Sequence, residues 1–193
     1  MKLAKSDRLG LVAFAGTAFL QSPLTLDEEA FRQSVEALDV DVIPQGGTAL
    51  AGAIDTALEA FAKEGDNHKI LVIFTDGEDL EGEALAAAEK AAKAGLKIFT
   101  IGVGTREGEL IQVRDEQGQS VMVKDENGNV IKSRLNESLL QQITAAGGGF
   151  YLPLVGANPM ETLYQRGLAP LVPATEGRSR LTKNYREQFK WPL

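Results

Sequence analysis

Lys69-Ile70-Leu71-Val72-Ile73-Phe74-Thr75, closed by Asp76-Gly77-Glu78-Asp79, is the stretch on which the fold turns. Its apolar residues fall on both alternating faces, the pattern of a parallel strand covered by helices on both sides. A second run of the same kind follows at 97–103, after an alanine-rich helical stretch from about Glu83 to Ala94 with Gly95 placed as its C-terminal cap. Strand, helix, strand in that order predicts a parallel pair joined by a crossover.

The pattern continues in both directions. Upstream, residues 8–14 (Arg-Leu-Gly-Leu-Val-Ala-Phe) read as a buried strand, and Gly16 allows a turn into a short edge strand at 18–21. Asp27 sits where a helix to about Ala37 begins, with Glu28 and Glu29 in its first turn. The loop Pro44-Gln45-Gly46-Gly47 delivers Thr48 to the start of a second helix, whose apolar positions Leu50, Ile54, Leu58 and Phe61 keep helical spacing. Downstream, Asp115-Glu116-Gln117-Gly118-Gln119 and Asp125-Glu126-Asn127-Gly128-Asn129 are near copies flanked by alternating residues. They predict two hairpin turns and an inserted β-meander at about 108–134. A helix over 136–146, a strand over 150–154 and a helix from Met160 restore the rhythm. The fold class is α/β, a doubly wound, mainly parallel sheet with helices on both faces. The domain is expected over 1–175, with a polar and aromatic tail at 176–193.

Composition narrows the function. With 20 Lys and Arg against 27 Asp and Glu, the net charge is −7, and no basic cluster interrupts it, so nucleic acid is excluded as a partner. There is no cysteine and a single histidine, His68, which removes thiolate chemistry, disulfides and multi-histidine zinc sites. His68 precedes a strand, with no serine in a nucleophile-elbow setting, so it reads as a surface histidine. No apolar stretch reaches the roughly 18 residues of a membrane span, and Met1 to Asp7 does not read as a secretory signal.

In an open α/β sheet, ligands bind beyond the carboxyl ends of the strands. Asp76 lies just past such an end, and Thr48 opens a helix after a glycine-rich loop. A hydroxyl and a carboxylate placed there can hold a hard cation such as Mg²⁺, which takes about six oxygens. The plainer reading makes Thr48 a helix cap and Asp76 part of a strand–helix turn. The acids that follow, Glu78, Asp79, Glu81 and Glu83, suit the positive end of the next helix, with Glu78 and Asp79 as outer-shell candidates. Gly102-x-Gly104-x-x-x-Gly108 is spaced too widely for a dinucleotide fingerprint and runs into β-type sequence. Asp125-Glu126-Asn127-Gly128 puts its glycine at the wrong position for a calcium loop and is a turn.

The consecutive segments 7–16, Gly46-Gly47-Thr48 and Phe74-Thr75-Asp76-Gly77-Glu78 resemble the landmarks of a bacterial von Willebrand factor A (VWA) domain, closest to the membrane-anchored aerotolerance (Bat-type) subgroup. Gly102-Val103-Gly104-Thr105, Ser133-Arg134-Leu135-Asn136 and Gly147-Gly148-Gly149-Phe150-Tyr151 fit that subgroup as well. The resemblance implies a metal-ion-dependent adhesion site on three loops: an Asp-x-Ser-x-Ser motif, a Thr and an Asp. Thr48 and Asp76 match the second and third, with Gly47, Gly77 and Glu78 as possible outer shell. None of Ser6, Ser22, Ser34, Ser120, Ser133, Ser138 and Ser179 lies in an Asp-x-Ser-x-Ser setting. In the family that motif ends a first, central strand, which the resemblance places between 8–14 and 69–75. The expectation is a chain that starts late, with two strand edges unpaired and weak or absent binding of Mg²⁺ or another divalent cation. About five buried side chains would go with that strand, on the order of 10 kcal/mol, comparable with a whole domain's stability of roughly 5–15 kcal/mol.

The resemblance further implies a non-enzymatic interaction module whose partner presents an Asp or Glu carboxylate. It implies neighbours such as a MoxR-type ATPase and other VWA proteins, and a bacterial membrane location with a transmembrane helix after the tail that carries Tyr185, Phe189 and Trp191. Two other functions stay open from the residues. One is a hydrolase or phosphoryl-transfer enzyme using Asp76 and Glu78 as paired carboxylates. The other is a structural protein that binds through the 108–134 insertion.

Overall fold

The computed structural model describes residues 7–39, 47–62, 68–79, 82–110, 112–114, 119–123, 128, 130, 132–156 and 158–171. The tail at 176–193, the Pro44–Gly46 part of the glycine loop, Glu81 and most of both hairpin turns lie outside them. Strand β1 (Leu9–Phe14) and strand β2 (Ala18–Thr25) form an antiparallel hairpin. Helix α1 (Glu28–Glu36) follows, its first turn held by Asp27, whose Oδ1 accepts from the Glu29 and Ala30 amides at 3.0 Å each. Helix α2 (Leu50–Phe61) leads to strand β3 (Lys69–Thr75), helix α3 (Ala84–Lys93) and strand β4 (Leu96–Gly102). Gly95 leaves α3 at a φ of 83°, a left-handed conformation that costs glycine nothing.

Strands β3 and β4 pair in parallel along their whole length, Lys69 with Leu96 through Thr75 with Gly102. Beyond the insertion, helix α4 (Glu137–Ala146) returns to strand β9 (Tyr151–Pro153), which pairs in parallel with the other edge of β4. Helix α5 (Pro159–Leu163) then runs into a π-helical turn at Tyr164–Leu168. One sheet face is closed by α2, α3 and α4, where Leu50, Ile54, Ala88, Ala91, Ile98 and Ile143 are buried together. The other is closed by Leu163 and Leu168 against Phe99 and Ile101, with Phe150 edge-on to Phe99 at 5.0 Å. Helices on both faces of a parallel sheet are what the alternating pattern requires.

The insertion carries strands β5 (Glu109–Leu110), β6 (Gln112–Arg114), β7 (Ser120–Met122) and β8 (Lys132–Ser133). Its described pairings nest: β6 with β7, and outside them β5 with β8. The first and last strands therefore meet at its base.

Three local readings change. The strand at 18–21 continues to Thr25, passing Pro23, which an edge position tolerates. Residues 8–14 are a strand, but none of β1 is buried. Its described partner is β2 alone, and β3 is paired only with β4, so among the described residues the hairpin and the parallel sheet are separate. Both still rest on α2, and Phe14 packs against the same cluster as Ile73. Finally, Thr48 does not cap α2. The N-cap residue is Ala49, which has no side-chain acceptor to offer, and its amide donates to the carbonyl of Ala15 in the β1–β2 turn.

Candidate functional site

The carboxyl end of β3 organises itself through its own side chains. Thr75, buried, accepts from the Gly77 amide at 3.1 Å, and Asp76 Oδ1 accepts from the Glu78 amide at 3.1 Å. These two side-chain turns bend the chain sharply after the strand. Gly77 takes a φ of 77°, and a Cβ there would stand 2.9 Å from both the Asn136 carbonyl oxygen and Leu140 Cγ. Only glycine meets both conditions, so this residue fixes the loop against the start of α4. From the other side, the Asn136 amide donates to the Asp76 carbonyl at 2.7 Å, and the Ser133 hydroxyl donates to Asp76 Oδ2 at 2.7 Å.

Glu78 is partly buried beside this loop. Burial first, and the charge of Asp76 second, push its carboxyl above the ordinary range, against a backbone hydrogen bond from Arg134. Asp79 turns away to the next helix, where its Oδ2 accepts from the Ala84 amide at 3.1 Å. That is the helix-dipole role read from the acidic run. Its Oδ1 is buried without a described partner.

Thr48 is half-buried one residue before the α2 cap, and the Ala49–Ala15 bond ties that helix start to the hairpin turn. Gly47 is exposed beside it. The structure thus places Thr48 and Asp76 on separate loops, each at the end of an element that touches α2 or β3. No group of three or more His, Cys, Asp or Glu side chains converges on a possible metal position among the described residues. Thr48 and Asp76 offer a hydroxyl and a carboxylate, the latter already hydrogen-bonded through both oxygens, where Mg²⁺ takes about six oxygens, several of them commonly water. His68 is exposed ahead of β3, at the opposite strand end from Asp76.

Ser133 is the residue that sequence reasoning missed as a site member. It lies 57 positions from Asp76, and no local pattern signals a contact at that distance. Nearby, an open groove of about 440 Å³ is lined by Arg106, Leu135, Asn136, Glu137, Ser138 and Gln141, neither Asp76 nor Glu78 among them. Arg106 and Glu137, both in its lining, form an ion pair, and Tyr151 interacts with Glu137.

The fold that positions Asp76 and Thr48 is shared with known proteins. Residues 2–145 match the family model for the von Willebrand factor type A domain. The chain belongs to that family. Domains of this family are commonly protein-interaction modules and are generally not enzymes. Two solved bacterial structures are similar throughout. BatB of Bacteroides thetaiotaomicron is 32% identical with a TM-score of 0.81, over 88% of this chain and 81% of that one. An aerotolerance-related membrane protein of Bacteroides fragilis is 32% identical with a TM-score of 0.80, over 88% and 84%. The proximal thread matrix protein 1 of the mussel byssus, with a zinc-occupied adhesion motif, shares the fold alone, at 16% identity and a TM-score of 0.55 over 82% of this chain and 35% of that one.

Among curated proteins, a UPF0353 protein of Mycobacterium tuberculosis is 32% identical over 131 residues, 60% of this chain and 38% of that protein. An uncharacterized protein of Borreliella burgdorferi is 31% identical over 106 residues, 53% of this chain and 30% of that protein. The chain therefore spans about a third of these relatives' length. No helix among the described residues is long and apolar enough to cross a membrane.

Proposed function

We propose that this VWA chain is a non-enzymatic protein-interaction module of a membrane-associated bacterial complex, contributing Thr48 and Asp76 to an incomplete metal-ion-dependent adhesion site. The observation that carries the reading is the pair of separate sheets. Strands β1 and β3 each have one edge with no described partner, and both lie on α2. Unpaired edges are costly and invite an added strand. A strand entering between them would run beside β3 and bring its carboxyl-end residues next to Asp76 and Thr48. An Asp-x-Ser-x-Ser strand would supply the oxygens that the two loops lack, and a partner's Asp or Glu would complete the cation. Metal binding and partner recognition then become one event. For the chain alone the reading is weak or absent Mg²⁺ binding. Partners of this chemistry include a MoxR-type ATPase and other VWA proteins.

Hydrogen exchange on this chain, with and without a synthetic Asp-x-Ser-x-Ser strand peptide, tests the reading. Poor protection at 9–14 and 69–75 that rises with peptide and Mg²⁺ supports it. Strong protection of both strands in the chain alone means that the sheet closes without an added strand, and the reading fails. Tight, stoichiometric Mg²⁺ binding by the chain alone defeats the incomplete-site part.

One further observation favours a second contact surface. Leu110, Val121, Met122 and Val130 of the insertion are all exposed, an apolar set on short strands. Deleting the insertion without loss of partner binding would remove this alternative.

A further inference from the structure

The segment that leaves the insertion touches the candidate site at successive residues. Ser133 donates its hydroxyl to Asp76 Oδ2 at 2.7 Å. The Arg134 backbone bonds to the Glu78 carboxyl. The Leu135 amide donates to the Thr105 carbonyl at 2.9 Å, and the Asn136 amide donates to the Asp76 carbonyl at 2.7 Å. Residues 133–136 thus lie as a strap across the loop after β3 and the loop after β4.

What holds the strap is short. Among the described residues, strands β5 and β8 pair at two positions, Glu109 with Ser133 and Leu110 with Lys132. A slip of one residue in such a pair turns every side chain to the opposite face, which would take the Ser133 hydroxyl off Asp76. Gly108 sets the close approach at this base. It has a φ of 76°, and a Cβ there would stand 2.7 Å from the Ser133 carbonyl oxygen and collide with Arg134 Cγ.

We propose that Ser133 is a positioning residue through which the insertion sets the orientation of the Asp76 carboxylate. With Ser133 in place, both carboxylate oxygens are pinned, Oδ1 by the Glu78 amide and Oδ2 by the hydroxyl. With the base of the insertion slipped or opened, Oδ2 loses its donor and the carboxylate turns about a single remaining bond. Carboxylates that bind cations depend on such outer partners for orientation. A partner held on the insertion therefore changes what Asp76 presents, and by linkage a ligand on Asp76 changes the insertion's closure. The two regions are one device.

The inference rests on Asp76 as the carboxylate of the proposed site; the positioning role is tested without metal, and Mg²⁺ is added only to separate it from the site reading. The near-isosteric pair Ser133→Thr and Ser133→Val differs in the hydroxyl alone, and amide exchange is read across the chain. Thr should keep the Glu78 amide at its wild-type rate. Val should speed exchange at Glu78 by at least about tenfold, the low end for one hydrogen bond to a charged group, with the amides of β4 unchanged as the check on folding. Gly108→Ala, which displaces the strap without touching Asp76, should act at Glu78 like Val. Equal Glu78 rates in Thr and Val overturn the positioning role. A difference between Thr and Val, with Gly77 and Glu78 unmoved by Mg²⁺ both alone and with the strand peptide, upholds the positioning role and defeats the site reading.

Discussion

Strands β1 and β4 are both short and apolar, yet they end in opposite environments. In β4, every residue but Lys97 is buried, and both edges are paired, with β3 and with β9. In β1 no residue is buried, and one edge is paired, with β2. The apolar pattern says that a segment is a strand; the neighbours on its edges and faces say how deeply it lies. Strand β3 stands between the two cases. Ile73 and Thr75 are buried, while Phe74 is 50% exposed, on the face where α5 and the π-helical turn cover Ile70 and Val72.

Truncating each strand gives the largest contrast. Phe99→Ala in β4 should cost about 3–5 kcal/mol, the range for a buried aromatic side chain. Val12→Ala in β1 should cost about 1 kcal/mol, since only part of its apolar area leaves water. Equal shifts in a urea unfolding series would mean that the hairpin is as tightly integrated as the parallel sheet.

The next effect is at the loop after β3. Gly77→Ala meets both a positive φ and a close contact with Asn136 and Leu140, so about 2 kcal/mol of stability should be lost. If the two regions are as separate as their pairing indicates, exchange in β1 and β2 should be unchanged while the amides of 76–78 and the start of α4 speed up. Asp79→Ala removes the carboxylate that caps α3 and should cost about 1 kcal/mol in thermal unfolding. No change there would mean that the Asp79–Ala84 bond does not stabilise α3.

A further effect is a pH dependence that arises in the parallel-sheet region. Burial, and then the nearby Glu137 carboxylate, push the Tyr151 phenol up from 10.0 to about 12. The phenol is thus favoured over the phenolate in the folded protein. Its contribution is fully present below the unfolded value near 10 and is lost as pH rises through about 12. Stability should fall across that window, tyrosinate absorbance should rise with it, and Tyr151→Phe should flatten the fall. An unchanged slope in Tyr151→Phe would assign the loss to other groups.

Much of the fold was legible because its signals are local. Two apolar runs around an alanine-rich helix were enough for a parallel pair, and Asp27, Gly95 and Asn136 mark helix ends at or beside the residues expected. Asp76 was legible as a residue at a strand's carboxyl end, and the turn that it makes with Glu78 agrees with its plainer reading too. What was not legible depended on distant partners. The helix starts one residue after Thr48, at a point tied to the hairpin by the Ala49–Ala15 bond, and Asp76 gains a third hydrogen-bonding partner from Ser133.

By itself, the sequence determined the alternation of strands and helices, the family landmarks in order, and the absence of an Asp-x-Ser-x-Ser stretch among its seven serines. These follow from residue type and short-range spacing, which need no knowledge of the rest of the chain. Only the tertiary structure decided that β1 and β3 rest on one helix and are, among the described residues, edges of two sheets, and that the insertion's exit strand reaches Asp76. Such pairings join residues far apart in the chain, and hydrogen-bond partners across that separation are chosen by packing rather than by any local preference.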